Sequence, residues 1–317
     1  MRTVRRVGDL RAMLALYRRE AAIGRGCDDR EGATIGLVPT MGALHDGHLS
    51  LIARARAQCD VVVVSLFVNP SQFDERADLE RYPREESRDA ALAARAGADL
   101  LFAPPIEEVY PVGFATSVEV LGVTDRYEGA SRGAAHFRGV ATVVTKLLCM
   151  TGPDVAYFGA KDAQQVVVIR RLVADLNLPV RVATCPTVRE PDGLAMSSRN
   201  ALLDPSARAR ALALPAALRA ASELADTGER SIAALIGAAG AAMAPFDVTP
   251  EYLTIVDPDT FESLEGSLTE PGLLVLAARV GEVRLIDNTL LEPLGAPSVA
   301  VPTPASDPGK AIATCSA

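Results

Sequence analysis

Tryptophan is absent from this chain, and all aromatic residues together make up 4% of it. A surface that stacks unpaired bases relies on such rings, so single-strand nucleic-acid binding loses its usual side chains. Aliphatic residues and alanine must fill the core instead. No run of 18 or more apolar residues occurs, which leaves no segment suited to spanning a membrane, and no apolar stretch follows Met1-Arg2-Thr3-Val4-Arg5-Arg6 to mark a secretory leader. The five cysteines, Cys27, Cys59, Cys149, Cys185 and Cys315, form no C-x-x-C pair and are odd in number, against a disulfide framework or a zinc ribbon. Positive charge is also short: 32 Lys and Arg face 40 Asp and Glu, for a net charge of -8, and a phosphate backbone meets a repulsive average field. A local basic pocket for one small polyanion remains open. These absences predict a cytoplasmic protein with small-molecule partners, no nucleic acid and no membrane.

What is present is an ordinary globular composition, 49% hydrophobic and 23% charged. At roughly 150 residues per domain the length of 317 suggests two domains. Leu10, Met13, Leu14 and Tyr17 fall at helical spacing within residues 8–22, with Gly24 and Gly26 closing the helix. Residues 35–38 read as a buried strand, 49–57 as a helix, and 61–68 as a strand of continuous apolar character, the mark of a parallel sheet covered on both faces. Alternation continues with helices over 85–96, 139–149 and 163–175 and strands at 99–103, 155–158 and 180–184. The pattern predicts a Rossmann-like, doubly wound parallel α/β domain over residues 1–187. Beyond it, two alanine-rich helical stretches over 206–244, broken near Thr227-Gly228, precede strand-like runs at 251–256, 273–280 and 283–290. Residues 188–291 are thus expected to form a smaller α+β domain closing over the site. Prolines among small residues mark 292–317 as a disordered tail.

Chemistry concentrates at strand ends. Of three histidines, His45 and His48 stand three apart in Pro39-Thr40-Met41-Gly42-Ala43-Leu44-His45-Asp46-Gly47-His48, between the first strand and its helix. Open α/β sheets place ligands there, and the helix start offers free N–H groups and a positive dipole end. The pair admits three uses: capping the helix, donating to a phosphoryl group, or binding zinc with His136 as the one spare imidazole. Two imidazoles in a single turn at a strand end favour the phosphoryl group. A second loop with the same topology, Phe158-Gly159-Ala160-Lys161-Asp162, carries a lysine for phosphate oxygens and an aspartate that caps the helix or holds magnesium, with Gln164-Gln165 behind it. Met196-Ser197-Ser198-Arg199-Asn200 suits outer phosphates, since arginine grips phosphate through paired N–H bonds, and otherwise reads as a linker between domains. Asn69 and Gln72, in Phe67-Val68-Asn69-Pro70-Ser71-Gln72-Phe73, are neutral polar groups suited to a hydroxy acid or an amine; an Asn-Pro turn is the plainer alternative.

With these segments in view, the chain resembles the pantothenate synthetases, or pantoate-beta-alanine ligases, within the nucleotidyltransferase superfamily that carries His-x-Gly-His signatures. The resemblance runs from residue 1 to about residue 290 and rests on Val38 to His48, Phe67-Val68-Asn69-Pro70, Gln72-Phe73, Tyr82-Pro83-Arg84, Met196 to Asn200 and Leu285-Ile286-Asp287-Asn288. It implies an ATP-dependent condensation of (R)-pantoate with β-alanine through a pantoyl adenylate, in a homodimer. It also implies an ATP site made by Met41, Gly42, Ala43, Leu44, His45, Asp46, Gly47, His48, Gly159, Ala160, Lys161, Asp162, Val188, Met196, Ser197, Ser198 and Arg199. His45, His48 and Lys161 would be catalytic, with His48 the proton donor. Gln72 and Gln165 would hold pantoate, Gln72 and Asn69 β-alanine, and Asp162 and Asp89 magnesium; as a residue of a helix, Asp89 otherwise reads as a surface carboxylate. The chain departs from the family at Ala160, where glutamate is usual, at Ala163, where an aromatic is usual, and in Arg132-Gly133-Ala134-Ala135-His136-Phe137, which lacks a proline and is one residue longer. The stretch from Glu128 to His136 is therefore left out of the catalytic set. Two other functions fit the same motifs: a transferase moving AMP to a phosphate-bearing acceptor, and a non-catalytic nucleotide-binding protein.

Overall fold

The apolar run that opens at Val61 divides its side chains between two layers. Val61 and Val63 lie in one buried cluster with Ile35, Leu37, Leu100 and Phe102, while Val62 and Val64 lie in another with Val38 and Leu101. Successive strand residues point to opposite faces, so a strand covered on both sides must be apolar throughout. The first cluster is closed by helices Val7–Arg25, Ala134–Thr151 and Ala163–Asp175, the second by Asp46–Gln58 and Glu86–Ala96. The computed structural model describes residues 1–25, 32–73, 79–80 and 82–293. Gly26, Cys27, Cys315 and the expected tail from residue 294 on lie outside the described residues.

Six strands, β1 (Arg2–Val4), β2 (Ile35–Thr40), β3 (Val61–Leu66), β4 (Leu100–Phe102), β5 (Val155–Gly159) and β6 (Arg181–Cys185), form a parallel sheet in the order β1-β4-β3-β2-β5-β6. From β2 the chain builds outward through β3 and β4, then returns to add β5 and β6 on the other side. The switch point lies between β2 and β5. Their ladder stops at Leu37↔Ala156, whereas β2 pairs with β3 as far as Thr40↔Leu66. Pro39 has no N–H to donate, and the two central strands part at their carboxyl ends, where such sheets bind ligands.

The second part of the chain holds helices Pro205–Ala211, Ala213–Asp226 and Ile232–Met243 against an antiparallel sheet of β7 (Pro250–Val256), β8 (Gly272–Val280) and β9 (Val283–Leu291). It has its own core, with Leu214, Leu218, Leu235 and Met243 packed on Leu274, Leu276, Leu285 and Leu291. The doubly wound domain and the smaller α+β region follow the expected order. Three details differ from the sequence reading. Edge strand β1 carries no apolar period and exists through pairing with β4; the helical region is three helices, not two; and the helix expected from 139 starts at Ala134.

Candidate active site

The turn after β2 is held from behind. Gly42 has φ of +93°, in the left-handed region that favours glycine, and Ala43 follows at +51°. Asp89 makes this tolerable: its side chain is 1% exposed, and its two oxygens accept the Ala43 N–H at 2.9 Å and the Leu44 N–H at 2.8 Å. Hydrogen bonds to a buried carboxylate are worth about 1.5–3 kcal/mol each. Asp89 is thus no helix-surface residue; it sits on the inner side of its helix and fixes the backbone that leads to the histidines.

His45 and His48 form a reciprocal capping box at the start of the helix Asp46–Gln58. His45 Nδ1 accepts the Gly47 N–H at 3.2 Å, and His48 Nδ1 accepts the His45 N–H at 3.4 Å. An imidazole nitrogen that accepts is unprotonated, so a neutral ring carries its hydrogen on Nε2. Burial lowers the His48 pKa to about 3, assisted by His45, and burial followed by the charge of Lys161 lowers that of His45. Capping and ligand binding, read as alternatives, are therefore compatible: one nitrogen of each ring caps, and the other keeps a hydrogen to give.

The adjacent loop after β5 carries Lys161, 17% exposed, with Nζ 3.6 Å from Asp162 Oδ1. Behind it the two glutamines separate by role. Both line the cleft, but Gln164 is buried and ties down a neighbouring loop, accepting the Glu128 N–H and donating to the carbonyls of Val123 and Arg126, while Gln165 is only half-buried. On the other side, Asn69 Nδ2 donates to Gln72 Oε1 at 3.0 Å and to the Gly139 carbonyl at 3.1 Å, and Asn69 Oδ1 accepts from Tyr110 Oη at 2.8 Å. The approach requires glycine at 139, where a Cβ would lie 2.2 Å from the Ser71 carbonyl oxygen. Ser197 Oγ accepts the Arg199 N–H at 3.2 Å and caps the short turn Ser198–Leu202, and buried Asn200 braces it by donating to Glu190 Oε1 at 2.6 Å.

These loops share one cleft of about 1040 Å³. Met41, His45, Gly47, His48, Asn69, Gln72, Gly159, Lys161, Asp162, Gln165, Val188, Met196, Ser197, Ser198 and Arg199 all line it. Gly42, Ala43, Leu44, Asp46, Ala160 and Asp89 do not; Leu44 is a core residue, and Gly42 and Asp89 border a separate pocket behind the turn.

A cluster outside the expected catalytic set stands on the cleft's far wall. Glu128, 6% exposed, accepts from Arg132 Nε at 2.9 Å, Arg284 Nη1 at 2.8 Å and Tyr252 Oη at 2.9 Å. Burial alone would raise the Glu128 pKa, but the hydrogen bond to Arg284 and the charges of Arg132 and Arg284 outweigh it and bring it to about 2. The Glu128/Arg132 spacing of four on a helix was a visible signal. Arg284 and Tyr252 arrive from β9 and β7, and nothing near Glu128 in sequence announces them. Among the described residues no group of three or more His, Cys, Asp or Glu gathers in metal-binding geometry.

A six-stranded doubly wound sheet with a His-x-Gly-His turn, a lysine loop and a Ser-Ser-Arg turn around its switch point defines an α/β protein of the His-x-Gly-His nucleotidyltransferase type. Within that class the chain belongs to the pantoate-beta-alanine ligase family, whose profile matches residues 2–290. Pantothenate synthetase from Cereibacter sphaeroides is 55% identical over 260 residues, 81% of this chain and 91% of that protein. Pantothenate synthetase 1 of Bradyrhizobium diazoefficiens is 50% identical over 92% of this chain and 98% of its own length. Among solved structures, pantothenate synthetase from Thermus thermophilus superposes with a TM-score of 0.83 at 47% identity, covering 92% of this chain and all of that one. Pantoate-beta-alanine ligase from Francisella tularensis, complexed with beta-gamma ATP and beta-alanine, gives 0.72 at 33% identity over 92% of this chain and 97% of its own.

Proposed function

We propose that this chain condenses (R)-pantoate with β-alanine, the ligation named by its family, consuming ATP and releasing AMP and pyrophosphate. The observation that carries the reading is the convergence in one cleft of His45, His48 and Lys161 with Asn69, Gln72 and Gln165. One side supplies donors for phosphate, the other neutral polar groups for a hydroxy acid and an amine.

In the first step the pantoate carboxylate attacks the α-phosphorus of ATP and pyrophosphate leaves. In the second, the β-alanine amine attacks the acyl carbon, loses a proton and displaces AMP. Neither step needs a protein nucleophile; positioning and stabilisation of developing charge suffice. His45 and His48 act here through neutral Nε2–H groups, and Lys161 supplies the positive charge. Ser197, Ser198 and Arg199 hold phosphates, and Gln72 and Gln165 hold pantoate, with Asn69 beside Gln72 for β-alanine. Magnesium carried with ATP would offset the phosphate charge. Magnesium in such sites keeps waters and takes one or two carboxylates, a role that Asp162 beside Lys161 fits. Asp89 fits it less well, because both its oxygens serve the Ala43 and Leu44 amides.

The second part of the chain closes the cleft in this reading, supported by the presence of Arg279, Arg284 and Asn288 in its wall. A homodimer is part of the proposal, with exposed Val112 and Leu121 as apolar surface on one stretch of chain; sedimentation at micromolar concentration distinguishes it from a monomer. The free thiols Cys59, Cys149 and Cys185 suit a cytosolic location.

The test is product identity. The reading expects free AMP and pantothenate only when ATP, pantoate and β-alanine are all present. AMP retained in the product without consumption of an amine would make the chain a transferase that stops at nucleotidyl transfer.

A further inference from the structure

Two consecutive residues of β9 hold two different loops of the cleft. Asn288, 8% exposed, donates through Nδ2 to the Ala160 carbonyl at 3.0 Å and to the Lys161 carbonyl at 2.9 Å. Asp287, 2% exposed, grips the Arg189 guanidinium with both oxygens, at 2.7 and 3.1 Å, and accepts the Asn288 N–H at 2.8 Å. Arg189 directly follows Val188 and bridges to Ala195, at the base of the turn that carries Met196 to Arg199. Alternation along the strand explains why both contacts exist. Leu285 and Leu291 enter the second core, whereas Arg284, Ile286 and Asn288 reach the cleft.

The geometry of the Asn288 amide is specific. Both hydrogens of the NH2 group are engaged by successive carbonyls of the 3-10 turn Ala160–Asp162, which carries Lys161. The turn makes no side-chain cap of its own at Gly159. Its backbone is thereby secured from the second part of the chain, 127 residues away from Lys161.

We propose that Asn288 is a positioning residue for Lys161, and that through it the seating of the C-terminal sheet on the parallel sheet sets where the lysine ammonium stands. The assignment rests on the proposed ligase reaction, in which Lys161 bears on the transferring phosphoryl group. Asn288 does not touch the reacting atoms; its effect passes through the Lys161 backbone.

The experiment is a double-mutant cycle on pantoate-dependent exchange of labelled pyrophosphate into ATP, using the full chain. Asn288→Ala is expected to lower kcat by about tenfold to a hundredfold with KM for pantoate changed less than about threefold, and in a Lys161→Ala background to add less than about threefold, since residues acting through one another are not additive. Asn288→Asp, which keeps the size but sets a carboxylate oxygen against the two carbonyls, is expected to be at least as impaired. Should the alanine variant not fold, Asn288→Ser retains one donor and carries the same cycle. Wild-type kcat in a folded Asn288→Ala chain, or equal losses in both backgrounds, would overturn the assignment, the latter pointing to direct contact with substrate or a general structural role. Failure of the wild-type chain to exchange at all would instead reject the reaction on which the assignment rests.

Discussion

The imidazoles of His45 and His48 stand with ring centroids 4.2 Å apart and planes tilted by 43°. Each spends Nδ1 on a backbone N–H of the same helix start, which fixes both rings and both tautomers together. In the proposed reaction a pair locked this way would offer two Nε2–H groups that need no reorganisation as charge grows on a phosphoryl oxygen.

Removing one preorganised stabiliser of this kind typically costs about 3–4 kcal/mol of transition-state stabilisation. His48→Ala and Lys161→Ala are each expected to lose at least about a hundredfold in kcat with saturating magnesium-ATP. The lysine variant should melt like wild type, and the histidine variant should lose about 1 kcal/mol with its cap. Turnover near wild type in either would remove that residue from the site.

The buried histidines also set a pH dependence of stability. The pKa of His48 falls from 6.5 to about 3 on folding and that of His45 is lowered as well, so below the ordinary histidine value the unfolded chain binds more protons than the folded one. The His48 contribution is complete above about pH 6.5 and is lost as pH falls toward 3, and that of His45 is lost in the same direction, every tenfold difference in proton affinity between the two states amounting to about 1.4 kcal/mol. Glu128, held at about 2 against an ordinary 4.5, contributes in the same direction but only below pH 4.5. Denaturant titrations between pH 5 and 6.5 should therefore show stability rising with pH in the wild type and a flatter slope in His48→Gln. Equal slopes would mean that His48 is not buried as a neutral group.

Asp89→Ala removes the acceptor of two amides and leaves the Gly42-Ala43 turn without its brace. The expected outcome is a loss of about 3 kcal/mol or more in chemical denaturation and a KM for ATP raised at least about tenfold. Extra magnesium should not restore activity. Recovery by magnesium in Asp89→Asn would show that the carboxylate serves a metal rather than the loop.

Much of this arrangement is legible in the amino-acid sequence, because each motif follows a strand. The unalternating apolar run beginning at Val61 announces a strand covered on both faces, and parallel strands deliver the residues after Thr40 and Phe158 to the same edge of the sheet. Asp89 is illegible for the opposite reason. A carboxylate on a helix rich in charge reads as solvated, and only the packing of that helix turns it toward the Ala43 amide. The Tyr252 and Arg284 partners of Glu128 and the Asn288 partner of the Lys161 carbonyl come from β7 and β9, and no local pattern encodes a contact across more than a hundred residues. Edge strand β1 fails for want of length: three residues carry no period, and pairing with Leu100 to Phe102 decides their conformation.

Ala160, where a glutamate is usual in the family, lines no part of the cleft; what reaches Asn288 is its carbonyl, which any residue retains. A glutamate there would favour the following helix start by about 0.3–1 kcal/mol and disfavour a nearby polyphosphate, so the two effects oppose. Ala160→Glu is expected to change kcat/KM for ATP by less than about tenfold, under about 1.4 kcal/mol. A gain of a hundredfold would identify the alanine as a catalytic lesion.

We place in the cleft between β2 and β5 the joining of pantoate to the adenylyl group of ATP, before any amine takes part. Exchange of labelled pyrophosphate into ATP, measured without β-alanine, isolates that step. The expected result is exchange that requires pantoate, saturates with it and is lost in His48→Ala. Exchange of equal rate with pantoate omitted, or none at all until β-alanine is added, would contradict it.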